Sequence, residues 1–429
     1  MGIDSVAIKT FNSSGSQSVC RANEADDTKL IESEFLTKCT TEYINGSGMS
    51  FVMGNMDITA IQGTNPIETF AFPSEVDAIS EIIFQMRIGP SGENVSSTFI
   101  LDLIKKIELK LGNLVVQTIY PGDIYARNLT EFTSALNTNT YQVLGGDSRY
   151  ANGSYMDFAI SIPFTGRGYG GVNKSFLQAG AITNGLKMKF YYNKLAVAPG
   201  VCTIIPSSLT TGVCVFTHAI TGTEKNFISN NIINRPVNTS YSVVQQLDSG
   251  INASSGTVTI DLSPVNINVS HILITMNQSV YRSSGEVLNV VGSTAGTSWT
   301  PIIPAGSSVS STDVGVVSGW LYSAELVLGN DRTGNVPGSC LSTEKIDLFR
   351  LSSVGGKNIY IMKLAGNAFS SAGVSFQRLN NKKLVLKYMP GFTLDLFTDG
   401  SNTGMTNINV TCCGTQIQST VGGSISFSA

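Results

Sequence analysis

Three stretches of this 429-residue chain recur, in the same order, in its second half. The members of each pair share the spacing of their apolar residues. The offset between them stays within about 190 to 217 positions, a variation that insertions in surface loops absorb. Such a repeat predicts a duplicated domain of about 200 residues rather than one continuous fold. The pairs are residues 79–86 with 269–276, 108–113 with 325–330, and 186–191 with 384–389.

The period of the apolar pattern indicates that the repeated domain is built from β-strands. In residues 107–111 apolar and charged side chains alternate, as a half-buried strand requires. Gly112 and Asn113 then supply a turn before the β-branched run 114–119, which predicts a β-hairpin. Only 13% of the residues are charged, against about 25% in an average soluble domain. We therefore expect an all-β chain of two tandem sandwiches.

One connection between strands has the apolar spacing of a helix. Tyr125, Leu129, Phe132 and Leu136 lie three or four positions apart after Pro121. Because proline is favoured in the first turn of a helix and this spacing makes one apolar face, the pattern predicts a helix over residues 122–136.

Polar stretches suggest where the domains and loops lie. Residues 1–25 are polar and without periodicity, which indicates a flexible N-terminal arm. We assign residues 26–205 to the first domain and 206–429 to the second. Residues 283–318 and 137–155 are rich in Gly, Ser, Thr or Asn, and we expect them to form exposed loops.

Charge and hydropathy disfavour several classes of protein. The net charge is −3 and no cluster of Lys and Arg is present, so the chain lacks the basic surface of a nucleic-acid-binding or membrane-surface protein. No apolar run reaches the length of about 20 residues that a membrane span requires. Residues 1–18 lack the basic and apolar regions of a secretory signal, which favours a protein made and kept in the cytosol.

The seven cysteines form no CxxC pair, so neither a disulfide framework nor a zinc site is indicated. We expect buried free thiols. Cys412 and Cys413 are adjacent, and on a strand their side chains would point to opposite faces.

A glycine pattern and two histidines are the remaining candidates for chemistry. Residues 166–171 match GxGxxG after a predicted strand, but Gly180 would interrupt the helix that a dinucleotide site needs, and no acidic residue follows at the required distance. We interpret this stretch as a glycine-rich loop. His271 matches Glu81 in the repeat, and both are expected to face solvent. No catalytic residue, cofactor site or metal ligand is predicted.

Eleven Asn-x-Ser/Thr sequons occur in the chain, which is rich in these residue types. Without a secretory signal most would stay unmodified. Asn152 and Asn173 lie in predicted loops, and they are the candidate glycosylation sites.

Six patches of the sequence are similar to a known family, at residues 72–83, 104–113, 119–132, 161–164, 184–191 and 337–347. They resemble the double-jelly-roll major capsid proteins of double-stranded DNA viruses, particularly those of the nucleocytoplasmic large DNA viruses. The family's tryptophan is missing from the helix, and the aromatic pair is missing after Pro163 and Phe164, so the resemblance is to the superfamily and not to one virus family.

The resemblance implies two tandem eight-stranded jelly rolls with short helices in the connecting loops. It implies a non-enzymatic major capsid protein that forms homotrimeric, pseudo-hexagonal capsomers of an icosahedral virion shell, assembled in the host cytoplasm. Its partners would be neighbouring capsomers and minor capsid, cement and penton proteins. The N-terminal arm would lie on the inner side, near an internal membrane, and no sequence-specific contact with nucleic acid is expected.

Two other functions fit an all-β chain of this composition. A non-enzymatic adhesin, lectin-like protein or viral spike would bind its partner through exposed loops such as residues 283–318. A tandem-jelly-roll hydrolase acting on glycans would need a cluster of carboxylates in a cleft. Fold alone does not decide between such functions.

Overall fold

A computed structural model gives the structure of the protein. The residues that it describes are 47–57, 60–61, 66–72, 77–89, 95–96, 99–131, 149–150, 155–167, 177–179, 185–195, 208–218, 233–247, 257–282, 286–288, 321–328, 348–350, 359–364, 373–379, 381–388, 402–421 and 424–428.

The first half of the chain forms strands β1 to β12 and two helices. The strands are β1 Ser47–Met53, β2 Ile67–Ala71, β3 Ala78–Gly89, β4 Val95–Ser96, β5 Ile104–Leu111, β6 Leu114–Ile119, β7 Arg149–Tyr150, β8 Met156–Ser161, β9 Leu177–Gln178, β10 Leu186–Tyr192, β11 Lys194–Leu195 and β12 Ser208–His218. The helices are α1 Phe99–Leu103 and α2 Pro121–Glu131.

The eight longer strands of this half form two antiparallel sheets. One sheet has the order β1-β12-β3-β8, with β9 paired to β3, and the other has the order β2-β10-β5-β6. Counted along the chain, the eight strands occupy positions 1-8-3-6 and 2-7-4-5. Strands that alternate between two packed sheets in this way form a jelly roll. The predicted all-β, eight-stranded jelly roll is confirmed for the first half.

The second half repeats this arrangement. Its strands are β13 Ile233–Leu247, β14 Thr257–Asp261, β15 Asn268–Arg282, β16 Glu286–Leu288, β17 Leu321–Leu328, β18 Leu348–Arg350, β19 Tyr360–Lys363, β20 Val374–Ser375, β21 Lys382–Tyr388, β22 Asn402–Val421 and β23 Ser424–Ser428. The order β13-β22-β15-β19 matches β1-β12-β3-β8, and β14-β21-β17 matches β2-β10-β5.

The sequence repeat corresponds to equivalent strands. Its three pairs fall on β3 and β15, β5 and β17, and β10 and β21. Leu109 pairs with Met188 in the first sandwich, whereas Leu326 pairs with Leu384 in the second. The sequence repeat matches Met188 with Leu386, whereas the strand pairing makes Leu384 the structural equivalent of Met188. This pair of the repeat is therefore displaced by two residues. A displacement of two residues keeps every side chain on its own face of the sheet.

The passage from the first sandwich to the second lies later than the expected position at residues 205 and 206. Strand β12, Ser208–His218, pairs along its length with β3 and β1 of the first sandwich. The last strand of a jelly roll returns to lie beside the first, so β12 belongs to the first sandwich. The chain enters the second sandwich between His218 and Ile233.

Both local elements predicted from the sequence are present. Strands β5 and β6 form the expected hairpin, and Gly112 in its turn has φ of +58°, which favours glycine. The expected helix begins at Pro121 and ends at Glu131 within the described residues.

Other predictions concern stretches that lie largely or wholly outside the described residues. Within residues 283–318, Glu286–Leu288 forms β16, which pairs with β15 and β11. The stretches that lie outside the described residues are the arm 1–25, most of the loops 137–155 and 283–318, and the patch 337–347.

Each sandwich encloses its own apolar core. In the first, Phe84 stacks on Phe190 with ring centroids 4.5 Å apart, and Phe70 meets Phe190 edge-on. Cys412 belongs to the second core and Cys413 to the cluster of the first, so their predicted opposite orientation is confirmed. Both are free thiols, and burial raises the pKa of Cys412 to about 12.

A buried carboxylate ties the two sheets of the first sandwich together. Glu68 on β2 accepts hydrogen bonds from the backbone N–H groups of Asn55 and Met56 at 3.1 and 3.2 Å. It also accepts from the hydroxyls of Thr211 at 2.6 Å and Tyr192 at 2.9 Å. These four hydrogen bonds join β2 to β10, to β12 and to the segment after β1.

We expect Glu68→Gln to lower the free energy of unfolding by about 1.5–3 kcal/mol, since the amide nitrogen would face donors and leave at least one unsatisfied. Denaturant unfolding followed by tryptophan fluorescence measures this loss. Glu325→Gln, at an exposed position on β17, is the control and should change stability by less than about 0.5 kcal/mol. Equal stability of the two variants would contradict the role of Glu68.

Candidate functional site

Among the described residues, buried polar side chains form a hydrogen-bond network where the two sandwiches meet. Helix α2 lies against β15 and β22, and β6 lies against β13. The helix therefore covers the outer face of the sheet β13-β22-β15-β19. We call this contact the junction. It contains polar side chains that are almost completely buried.

Helix α2 is suited to this position by its first turn. Pro121 occupies the first helical position, where its missing N–H costs nothing. Asp123 accepts a hydrogen bond of 2.8 Å from the backbone N–H of Tyr120, which caps the helix. The partial positive charge at a helix N-terminus favours a carboxylate there. Ile124 and Tyr125 pack into the first core.

The carboxylate of Asp123 joins the first sandwich to the second. Its Oδ1 accepts hydrogen bonds from the hydroxyls of Ser242 and Thr411 and, at 3.0 Å, from the amide of Asn409. Ser242 lies on β13, and the other two donors lie on β22. One oxygen atom therefore fixes the helix against two neighbouring strands of the second sandwich.

Arg127, one turn further along α2, makes a second link. Its Nη1 donates to the backbone carbonyl of Pro163 at 3.0 Å and to the hydroxyl of Ser240 at 2.9 Å. The guanidinium is completely buried. It therefore holds the segment after β8 and strand β13 in one arrangement.

Gln117 on β6 completes the contact with β13. Its Nε2 donates to the hydroxyl of Ser240 at 3.1 Å, and its Oε1 accepts from the backbone N–H of Thr165 at 2.6 Å. The hydroxyls of Thr165 and Thr239 lie 2.8 Å apart, and the N–H of Gly166 donates to the carbonyl of Asn238 at 2.8 Å. Side-chain and backbone groups of both sandwiches thus share one network.

The junction also has an apolar part. The cluster that fills the first sandwich includes Leu273, Ile359 and Cys413 of the second. Strand β15 is consequently buried on both faces, and His271 is only 5% exposed. The expectation that His271 faces solvent was wrong, because the first sandwich covers this strand. Glu81, its partner in the repeat, is half-buried and accepts from Ser161 at 3.0 Å.

The glycine pattern 166–171 contributes to the junction in its described part. Gly166 has φ of +92°, and Arg167 is buried and donates to Asn128 Oδ1 at 3.0 Å. These contacts agree with the interpretation of this stretch as a glycine-rich loop with a structural role. Residues 168–171 lie outside the described residues.

Some of the sequons lie at buried positions and others outside the described residues. Asn128, Asn268 and Asn409 are buried in the folded chain, which leaves no room for a glycan. Asn152 and Asn173, the candidate glycosylation sites, lie outside the described residues.

Within the described ranges, no group of three His, Cys, Asp or Glu side chains could hold a metal ion. None of the helices found there is long and apolar enough to cross a membrane.

Sequence reasoning did not identify the junction residues. The polar residues of the junction come from five separate segments, and the local signal among them was the polarity of α2. Asp123, Arg127 and Asn128 share this short helix with its apolar residues, so no wide apolar face excludes them from burial.

We expect Asp123→Ala to lower the free energy of unfolding by about 3 kcal/mol, because four donors lose their acceptor in a buried site. Calorimetry should also show the single unfolding transition broadening or splitting as the sandwiches uncouple. The control is Asp261→Ala, at an exposed carboxylate bonded to nearby Ser263. Identical unfolding of both variants would rule out a central role for Asp123.

Gly122 is required by the close approach of α2 to β22. A Cβ atom at this position would lie 2.6 Å from the Cβ of Asn409. Gly122→Ala should therefore cost about 1–3 kcal/mol by overpacking. Combined with Asn409→Gly, which removes the clashing atoms, the loss should be smaller than the sum of the single changes. Additive losses in denaturant unfolding would contradict this contact.

The similarity of this chain to known proteins is structural. No family model matches the sequence, and the search of curated proteins returns no match. The crystal structure of PBCV-1 VP54, fitted into a cryo-EM reconstruction of the virophage Sputnik, is similar with a TM-score of 0.59 and 14% identity, covering 91% of this chain and 98% of that one.

The quasi-atomic model of the PBCV-1 virus capsid is similar to the same degree, with a TM-score of 0.58 and 15% identity, covering 91% of this chain and 98% of that one. Likeness at this identity concerns the fold, and it agrees with the strand orders of both sandwiches. The chain therefore has the fold of the double-jelly-roll major capsid proteins of double-stranded DNA viruses.

Proposed function

We propose that this protein is the structural major capsid protein of an icosahedral virion, and that three copies assemble into a pseudo-hexagonal capsomer. The observation that carries the proposal is the junction, in which one jelly roll covers the outer sheet face of an equivalent jelly roll. A rigid pair of equivalent jelly rolls can supply two of the six units of a ring.

The open counterpart of the junction lies on the first sandwich. The sheet β1-β12-β3-β8 is equivalent to the sheet that α2 covers, but its outer face is exposed. Phe51 is 50% exposed, Met53 61% and Tyr155 52%. If the same contact is used again, the second sandwich of a neighbouring copy covers this face. Three copies then close a ring of six jelly rolls, and cyclic closure leaves no such face open.

This face has the composition of an interface. Phe51 lies over Gly212, where an added Cβ would be 2.4 Å from its ring. Arg87 makes an ion pair of 2.9 Å with Asp157 and lies over the ring of Tyr155. Aromatic residues, Met and Arg are enriched in protein interfaces. A groove of ≈ 320 Å³ between these strands offers room for side chains of the neighbour.

The proposal extends to location and partners. The protein resides in the virion capsid after assembly in the host cytoplasm, and it catalyses no reaction. It contacts neighbouring capsomers and minor capsid, cement and penton proteins, with its N-terminal arm on the inner side near an internal membrane. Asn152 and Asn173 are its candidate glycosylation sites.

Light scattering at several concentrations tests the oligomeric state. We expect a stable species of about three times 45.6 kDa, and shells or hexagonal tiles by electron microscopy. The double variant Phe51→Glu with Met53→Glu should remain monomeric, since it introduces carboxylates into the face that the neighbour desolvates.

Ile67→Glu is the matched control. Ile67 is 45% exposed but lies on β2, in the other sheet of the same sandwich, so this variant should still form trimers. A wild-type protein that stays monomeric at every concentration would contradict the capsid proposal. Trimers in all the variants would contradict the assigned face.

A further inference from the structure

The outer face of the sheet β2-β10-β5-β6 carries an excess of lysine. Lys106 and Lys110 on β5 lie beside Lys187 and Lys189 on β10, and Glu108 is the carboxylate among them. We call these residues the lysine face. The alternate residues of both strands, such as Leu109 and Met188, are buried in the core, which places the lysines outward.

The lysine face brings like charges together. Lys187 lies directly opposite Lys110 in the pairing of β10 with β5. Like charges directly opposite each other destabilise a sheet. Lys106 and Lys189 both approach the ring of Tyr191, at 4.6 and 5.1 Å from its centroid. Four ammonium groups therefore share a small area.

The single carboxylate is already engaged. Glu108 accepts from Lys106 at 2.7 Å and from the hydroxyl of Tyr191 at 2.8 Å, and it lies 3.6 Å from the ammonium of Lys110. Burial raises the pKa of Glu108, but these hydrogen bonds outweigh it, so the net pKa lies below the ordinary value. Lys189 lies opposite Glu108 in the pairing of β10 with β5. Within the described part of the chain, however, no carboxylate forms an ion pair with Lys187 or Lys189.

On the equivalent face of the second sandwich, the positive and negative charges are balanced. On the sheet β14-β21-β17, Lys383 lies opposite Asp261, and the exposed Lys387 has the exposed Glu325 in the same sheet. The two sandwiches share a fold but differ here in charge. The excess on the lysine face is thus a property of this sequence and not a requirement of the jelly roll.

One segment of the chain has the complementary charge. Residues 24–34, with the sequence EADDTKLIESE, contain five carboxylates and one lysine. They lie outside the described residues, and about 12 residues connect them to β1. A connection of that length reaches about 40 Å when extended.

The topology allows this reach. Strands β1 and β2 are the edge strands of their two sheets. Sheets in a sandwich lie about 10 Å apart, and neighbouring strands are about 4.8 Å apart. A chain that leaves the start of β1 passes this edge and meets β10 and β5 as the second and third strands from it.

We propose that residues 24–34 bind along the lysine face of the same chain and neutralise it. The alternating spacing of lysines on β10, at positions 187 and 189, suits an extended acidic segment, because side chains two residues apart in an extended chain point the same way. Residues before 24 stay available for contacts elsewhere in an assembly.

Zero-length carbodiimide cross-linking of the full chain tests the proposal, because it joins carboxylates to amines only in direct contact. Peptide mass spectrometry should find amide bonds between residues 24–34 and lysines of the face. Lys187→Glu with Lys189→Glu should reduce their yield about tenfold. Lys383→Glu with Lys387→Glu, the matched control on the balanced face, should leave the yield unchanged.

An equimolar mixture of copies with natural and heavy nitrogen distinguishes the source of each cross-link. Links within one isotope form support binding to the same chain, and links between the forms at the random ratio overturn it. Absence of these links at low salt, or equal links to lysines of both sandwiches, also overturns it. Thermal unfolding verifies that each variant is folded, and light scattering tests the trimer separately.

Discussion

The buried carboxylate of Asp123 is the constraint on which the arrangement of the two sandwiches depends. It belongs to a helix of the first sandwich, yet three of its hydrogen-bond donors belong to the second. A buried acceptor needs its donors at defined positions, because a buried polar group that loses them costs about 1–3 kcal/mol. A rotation of one sandwich against the other would break several such bonds together. The junction therefore selects one relative orientation, which apolar contact alone specifies less sharply.

The same contact makes the second sandwich dependent on the first. Strand β15 contributes Ile272 and Ile274 to its own core and Leu273 to the cluster of the first sandwich. A central strand buried on both faces would expose Leu273 and His271 if the sandwiches separated. We infer that the second jelly roll is stable mainly as part of the pair. We therefore expect the two folds, each with its own core, to unfold as one cooperative unit.

The sequence predicted what depends on local pattern and missed what depends on tertiary contact. The period-two runs, the turn at Gly112 and the repeat were sufficient for the sandwiches, because strand faces and hairpins follow from neighbouring residues. The burial of His271 was missed, although the unbroken apolar run Ile272, Leu273 and Ile274 beside it is typical of a strand that is covered on both faces. The first sandwich extends past the expected boundary, because β12 pairs with β1 and β3, and such long-range pairing leaves no local mark in the sequence. Asp123 gave only a weak signal, since its partners Ser242 and Thr411 are distant in sequence.

The junction and the exposed face of the first sandwich differ in chemistry, and the difference follows from how each would form. Within one chain the sandwiches are tethered, so their effective concentration is high and a polar contact can form without a large apolar gain. A contact between separate chains must also offset the loss of translational and rotational freedom, which costs several kcal/mol. Phe51, Met53 and Tyr155 are exposed, and in the proposed contact they would provide that apolar area. In the proposed ring, hydrogen bonds set the orientation within each copy, and apolar burial drives the closure between copies.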